Sequence, residues 1–281
     1  CIRDRALPLI VIPVFNAYRH LQACLESIAK TVPRTAEVLL IDDASTDERI
    51  QPLLRSWVNE ASAQRRVISH AKNRGFVATA NHGMRLADRD VVLLNSDTEV
   101  GKGWLQQLAD CLASDRSIAT ATPWSNNGEI VSVPVFCAPN PVPDDLNAVA
   151  EVIASCGQPV YPDIPTAVGF CMAVSRQAIR HVGLFDEGTF GRGYGEENDF
   201  CQRAEQAGFR NVVCDNAYVA HHGGASFGPL GLEPDANSMQ RLLAKHPDYM
   251  KKVSEFIQSD PLAGRREEII ACLERAGIGM R

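Results

Sequence analysis

The chain has 281 residues, 45% hydrophobic and 22% charged, which is enough apolar material for one large core or two modest ones and argues against a disordered chain. A net charge of −6 leaves no basic footprint, which excludes a nucleic-acid groove or a polybasic membrane anchor as the main business; any nucleotide bound is expected as a small ligand. Nine cysteines at irregular spacings, with no CxxC pair, read as free thiols of a reducing cytoplasm and not as a disulfide framework.

No apolar stretch reaches 18 residues and no signal peptide is evident, so no segment is expected to span a membrane. Cys1 in place of Met reads as a domain cut from a longer chain, whose other domains are then possible partners.

In chain order, residues 7–15 have the length and β-branched content of a strand buried on both faces, ending at Asn16. Tyr18, Leu21, Leu25 and Ile28 keep a helical rhythm until Pro33. A second strand, 37–41, ends in Asp42 and Asp43 and leads to a helix near 47–60. A short strand at 66–69 precedes Asn73-Arg74-Gly75-Phe76 and a helix to Asp88, and strand 90–94 ends in Asn95-Ser96-Asp97. This β-α alternation specifies a parallel α/β sheet with right-handed crossovers, whose ligands bind beyond the carboxyl ends of the strands. Three of those strand ends carry Asn16, Asp42 with Asp43, and Asp97.

A helix near 103–114 follows, and then a Pro- and Asn-rich stretch, 123–165, is expected to cover a site or bind a partner. Strands are expected at 166–174, 211–214 and 218–227, and two or three helices from about 235, broken at Pro247 and Pro261. Between them, 193–208 reads GYGEENDFCQRAEQAG. Phe200, Ala204 and Ala207 fit a helix stopped by Gly208, so the acids at its start suit either capping of the helix dipole or chemistry.

A nucleotide site here has neither GxGxxG nor GxxxxGK[ST] after the first strand. Acids at the rim, acting on a base, a ribose or a metal, are the alternative means of holding one. VIPVFN, IDDAST, NRGFVATAN, LLNSDTEV, VGFCMAVSR, GLFDE, GYGEENDFCQR and HHGGASF occur in an order that resembles the family-2 type of inverting glycosyltransferases with the GT-A fold. The resemblance covers about residues 7–230. It implies a mainly parallel mixed sheet flanked by helices, with a nucleotide-binding half at about 7–120, an acceptor and catalytic half at 121–230, and a C-terminal helical extension at 231–281.

The resemblance also implies roles for individual residues. Pro13, Phe15 and Asn16 would line the nucleotide pocket. Asp43 would bind the pyrimidine base, although Asp42 and Asp43 also read as a turn-forming pair. Asn73, Arg74, Gly75 and Asn81 would pass close to the donor sugar and diphosphate, with Arg74 readable as a plain surface charge. Asn95-Ser96-Asp97 stands where the family has Asp-x-Asp. Asn95 and Ser96 are left to the donor, and Asp97 binds a divalent metal together with His221, in a site suited to Mn²⁺ or Mg²⁺. With Asn95 uncharged, metal independence also stays open. Glu196-Glu197-Asn198-Asp199 matches Glu-Asp-x-Asp. Glu197 is thereby mapped as the base, Asp199 is a reserve and Glu196 a positioning acid. Gly169, Phe170, Tyr194 and Trp124 are the candidates for sugar contacts.

The function implied is transfer from a UDP- or dTDP-sugar to a glycan or lipid-linked glycan of the cell envelope, on the cytoplasmic side or peripherally at the inner membrane face. A sugar nucleotidyltransferase is the alternative enzyme, but it normally needs a basic, Gly-rich loop that VIPVFNAYRH lacks. A silent sugar-binding or scaffold module is opposed by the acids at 97, 197 and 199.

Overall fold

The computed structural model describes residues 7–60, 64–191, 193–223 and 236–279. An eight-stranded mixed sheet runs through it. Its strands are β1 (Leu9–Val14), β2 (Glu37–Asp42), β3 (Gln64–Ser69), β4 (Val91–Leu94), β5 (Thr98–Val100), β6 (Ile118–Trp124), β7 (Cys171–Val174) and β8 (Arg210–His221), in the order β3-β2-β1-β4-β7-β6-β8-β5. The β3-β2-β1-β4 half is parallel, as the alternation requires. β7 runs antiparallel to both β4 and β6, and β5 antiparallel to β8.

Strand alternation sorts the core. Ile10, Ile12 and Val14 pack with α1 (Tyr18–Thr31), α2 (Ile50–Asn59) and α4 (Trp104–Ser114) on one face. Leu9 and Val11 pack with α3 (Phe76–Leu86) and α8 (Glu196–Gln206) on the other. α3 lies so close to β1 that a Cβ on Gly83 would sit 2.3 Å from Val11 Cγ1. α6 (Arg176–Val182) and α7 (Glu187–Phe190) lead into α8; α9 (Ala236–Lys245), α10 (Tyr249–Ser259) and α11 (Ala263–Arg275) close the chain, broken at Pro247 and Pro261 as expected.

Besides the one-turn helix α7 and a short 3-10 turn, three elements escaped the sequence reading: β5, β6 and α5 (Leu146–Ser155), the last inside the supposedly irregular 123–165 stretch. β6 reads IATATPW, whose small and hydroxyl side chains give no hydrophobic run although all seven residues are buried. The two strands expected at 211–214 and 218–227 are one strand, with a register shift where Pro123 and Trp124 pair with Cys214 and Tyr218. Residues 224–227 of that expectation lie outside the described residues.

The thiol reading is corrected: Cys156, at the end of α5, is disulfide-bonded to Cys272 in α11. The two are 116 residues apart, and only the packing of α11 on α5 brings them together, so no spacing in the sequence announces the pair.

Candidate functional site

A cleft of about 690 Å³ opens at the carboxyl rim of the parallel strands. Register explains which side chains reach it. β7 enters antiparallel with Cys171 opposite Leu94, so Gly169 and Phe170, just before β7, stand beside Asn95 at the end of β4. The Asn95 N–H donates to the Phe170 carbonyl at 2.9 Å. The β5–β8 pairing sets Thr98 opposite His221, which places Asp97 next to the imidazole.

His221 Nε2 is 3.6 Å from Asp97 Oδ1, while His221 Nδ1 lies 2.7 Å from the Asn127 carbonyl. A carbonyl only accepts, so Nδ1 carries a proton and Nε2 is the nitrogen left on the side of Asp97. Burial works to lower the His221 pKa, but Asp97, the Asn127 carbonyl and Glu129 outweigh it and hold the ring above its ordinary value. The pair suits one divalent ion that takes its remaining ligands from substrate and water. Among the described residues no third His, Cys, Asp or Glu completes a cluster.

Across the cleft, α8 begins after three residues with positive φ: Gly193 (146°), Tyr194 (69°) and Gly195 (99°). Gly195 is required sterically as well, since a Cβ there would lie 2.9 Å from Phe190. This turn delivers Glu196 and Glu197 to the cleft wall, and an oxygen of each, Oε2, is buried without a hydrogen-bond partner. Burial pushes Glu197 above the usual carboxylate range and Glu129 adds to it, while the backbone N–H groups of Glu197 and Gly195 oppose. Burial, reinforced by the charge of Glu197, pushes Glu196 well above that range. The helix dipole therefore loses to desolvation here.

Pro13, Phe15, Asp43, Asn73, Gly75, Asn95, Ser96, Asp97, Gly169, Phe170, Tyr194, Glu196, Glu197 and His221 all line the cleft. Asp43 is already engaged: it accepts from Arg74 N, Gly75 N at 2.8 Å and His70 Nδ1 at 2.8 Å, and so shapes the Asn73–Gly75 segment.

The structure takes six other candidates away from the cleft lining. Asn16 Oδ1 accepts from Thr46 N and Asp47 N, and Asp42 accepts from Ser45 N and Gln51, so both brace the loop after β2. Arg74 points to Glu187 at 3.8 Å. Asn81 is buried and exchanges two hydrogen bonds with the Phe185 backbone. Trp124 is buried in the core, its indole N–H donating to the Asp215 carbonyl. Asp199, fully buried, is bound by Arg203 at 2.8 Å, Lys245 at 2.6 Å and His246 at 2.9 Å. Burial opposes ionisation of Asp199, but the three cationic or N–H partners prevail and hold it below the usual range. It carries the ion network of α8 and has no oxygen to spare for a substrate proton.

Glu129, missed in the sequence, also lines the cleft, from a 3-10 turn at Glu129–Val131. Its only sequence signal is its place in the 123–165 stretch, which does reach the site.

Residues 9–183 match glycosyl transferase family 2. Human polypeptide N-acetylgalactosaminyltransferase 18 is 25% identical over 240 residues, covering 77% of this chain and 38% of the relative, so the chain spans about two-fifths of that protein's length. The N-acetylglucosaminyl-diphospho-decaprenol L-rhamnosyltransferase of Mycobacterium tuberculosis is 24% identical over 258 residues, covering 79% of this chain and 78% of the relative. Among solved structures, GalNAc-T7 with UDP, GalNAc and Mn²⁺ superposes with a TM-score of 0.62 at 17% identity, over 91% of this chain and 58% of the other. The mannosyltransferase PcManGT from Pyrobaculum calidifontis, with GDP-Man and Mn²⁺, gives 0.58 at 15% identity over 98% and 76%. These likenesses establish the GT-A fold, and the match over 9–183 establishes that the chain belongs to glycosyl transferase family 2.

Proposed function

We propose that this domain moves a sugar from a nucleoside-diphosphate sugar, UDP- or dTDP-linked, to a hydroxyl of a glycan or glycolipid by single displacement with inversion. The observation that carries the reading is Glu197: a half-buried residue whose carboxyl Oε2 is shielded from solvent without a hydrogen-bond partner, lining the same cleft as Asp97 and His221. Glu197 takes the acceptor O–H proton as the oxygen bonds to the anomeric carbon, and the carbon–oxygen bond to the diphosphate breaks with its electron pair leaving on the phosphate. A raised pKa makes Glu197 a stronger base than an exposed carboxylate.

Asp97 and His221 would hold Mn²⁺ or Mg²⁺, which supplies positive charge against the departing diphosphate. Gly169 leaves the face of Glu197 open, where an added Cβ would come into van der Waals contact with Oε1 at 3.8 Å. Glu196, beside the base, positions the acceptor, and Asn95 and Ser96 face the donor. UDP, GDP-Man and UDP-GlcNAc in the neighbouring structures support a nucleotide-sugar donor. No described helix is long and apolar enough to cross a membrane. The Cys156–Cys272 bond removes the thiol argument that favoured a reducing compartment.

The test is nucleoside diphosphate release from a panel of UDP- and dTDP-sugars with Mn²⁺, with Glu197→Gln and Asp97→Ala as controls. Release by the native chain and its loss in both variants is expected. Full activity in Glu197→Gln sinks the assignment, and release of inorganic diphosphate instead points to nucleotidyl transfer.

A further inference from the structure

The cleft does not end at Glu197. Its far wall comes from α9 and α10, in the extension beyond the family match, and it joins a polar end to an apolar one. At the polar end Glu129 sits in the left-handed region, φ 50°, in a turn with little freedom. Gly128 is packed so that a Cβ would be 2.8 Å from Val131 and 3.1 Å from Phe170, whose ring stacks on His221 at 5.2 Å. Asn126, three residues before Glu129, donates to the His221 carbonyl and accepts from His221 N. Glu129 is thus fixed relative to the site already described. Tyr249, at the start of α10, is buried and lines the same cleft as Glu197 and Glu129.

At the apolar end Leu242 is buried, Val253 lines the wall, and Met239 and Met250 are 40% and 43% exposed. Two of the six large hydrophobic side chains exposed among the described residues therefore flank this one cleft. Methionine is soft and adaptable, suited to an apolar group of variable shape. The carboxylates lining the same cleft accept hydrogen bonds from hydroxyls and repel phosphate, so the moiety nearest Glu129 is a neutral sugar.

We propose that this lobe is the acceptor subsite for an amphiphilic glycoside: Glu129 and Tyr249 hold the sugar hydroxyls, and Met239, Leu242, Met250 and Val253 receive its apolar aglycone. The proposal rests on Glu197 as the base that the acceptor hydroxyl must reach. It is tested with methyl and octyl glycosides of glucose, galactose, mannose and N-acetylglucosamine, the octyl forms below their micellar concentration, using whichever donor the native chain turns over.

The octyl form is expected to show an acceptor KM about tenfold below its methyl counterpart, and the double variant Met239→Ser, Met250→Ser to abolish that gap. Glu129→Gln and Tyr249→Phe each raise the acceptor KM for both forms about tenfold and leave the donor KM within about twofold. Equal KM values for octyl and methyl forms overturn the proposal. So do acceptor KM values unmoved in Glu129→Gln and Tyr249→Phe, or donor KM values that rise in step. If the native chain turns over no donor, the reading of Glu197 fails instead. The octyl-over-methyl comparison is then made by melting-temperature rise in the native chain and the same variants, and equal rises overturn the subsite.

Discussion

Glu197 and Asp199 lie two residues apart on one helix, yet their surroundings drive them in opposite directions. Glu197 is desolvated, shares its cleft with the negative Glu129 and has its pKa raised; Asp199 is ringed by Arg203, Lys245 and His246 and has its pKa lowered. A base must be deprotonated, so activity falls as pH drops through the raised Glu197 value. The acidic limb of the kcat/KM profile should lie above that of an ordinary glutamate near 4.3 and vanish in Glu197→Gln, along with about 10²–10⁴ of the rate. Glu196 gives a stability prediction of definite sign. Its folded pKa is raised, so the folded state binds more protons than the unfolded one, and its contribution is lost as pH rises through that window. Glu196→Gln, which cannot ionise, should therefore raise the melting temperature at pH 8 more than at pH 5. No difference between the two pH values would show that Glu196 is not desolvated in solution.

At the scale of elements, the Asp199 cluster fastens α8 to α9, so the extension braces the helix that presents Glu197. Removing one partner of a buried ionic cluster leaves the others uncompensated, and Asp199→Ala should cost about 3–5 kcal/mol in urea unfolding. Because Asp199 has a lowered pKa, its stabilisation is present above its unfolded value and lost as pH falls through the folded one, so that cost should shrink in acid. The α3–β1 contact offers a separate check. Alanine is the better helix former by about 1 kcal/mol, but a Cβ at Gly83 collides with Val11, which is itself buried in a packed strand. Gly83→Ala is expected to be destabilising by about 1–3 kcal/mol net, because overpacking outweighs propensity. A variant as stable as the native chain would mean that α3 shifts off the sheet.

For the whole molecule, the Cys156–Cys272 bond closes a loop with a sequence separation of 116 residues, joining the 123–165 stretch to the last helix. Chain-entropy arguments give such a link about 2–5 kcal/mol, and Cys272→Ser should lower the denaturation midpoint accordingly. Neither cysteine lines the cleft, so the melting-temperature rise on adding donor should be preserved. Loss of that rise would show that the staple holds the site and not only the fold. Arg265 reinforces the same join, reaching the buried Asp215 at 2.9 Å, while Asp215 also accepts from Val160 N and Tyr161 N.

The parallel half-sheet, the helices between its strands, the acid-bearing rim and the start of α8 were legible in the chain because each is written locally, as a β-branched run, a 3.6-residue rhythm or a strand-terminal acid. β6 was not, since IATATPW is buried by its neighbours and not by its own hydrophobicity. The resemblance put Glu197 first among the acids of GYGEENDFCQR, with Asp199 in reserve, but nothing local to the chain gives a physical reason for that ranking. The reason belongs to partners distant in the chain: Lys245 and His246 bind Asp199, and Glu129 lines the cleft with Glu197. Asn16, Asp42, Asn81 and Trp124 misled for the same reason, because a polar or aromatic side chain, whether at a strand end or, like Asn81, within a helix, serves a site or a brace according to what packs against it. The sequence by itself determined the fold and the type of chemistry. Tertiary structure alone decided which carboxyl is free to take a proton, because desolvation and ion pairing depend on contacts between residues far apart in the chain.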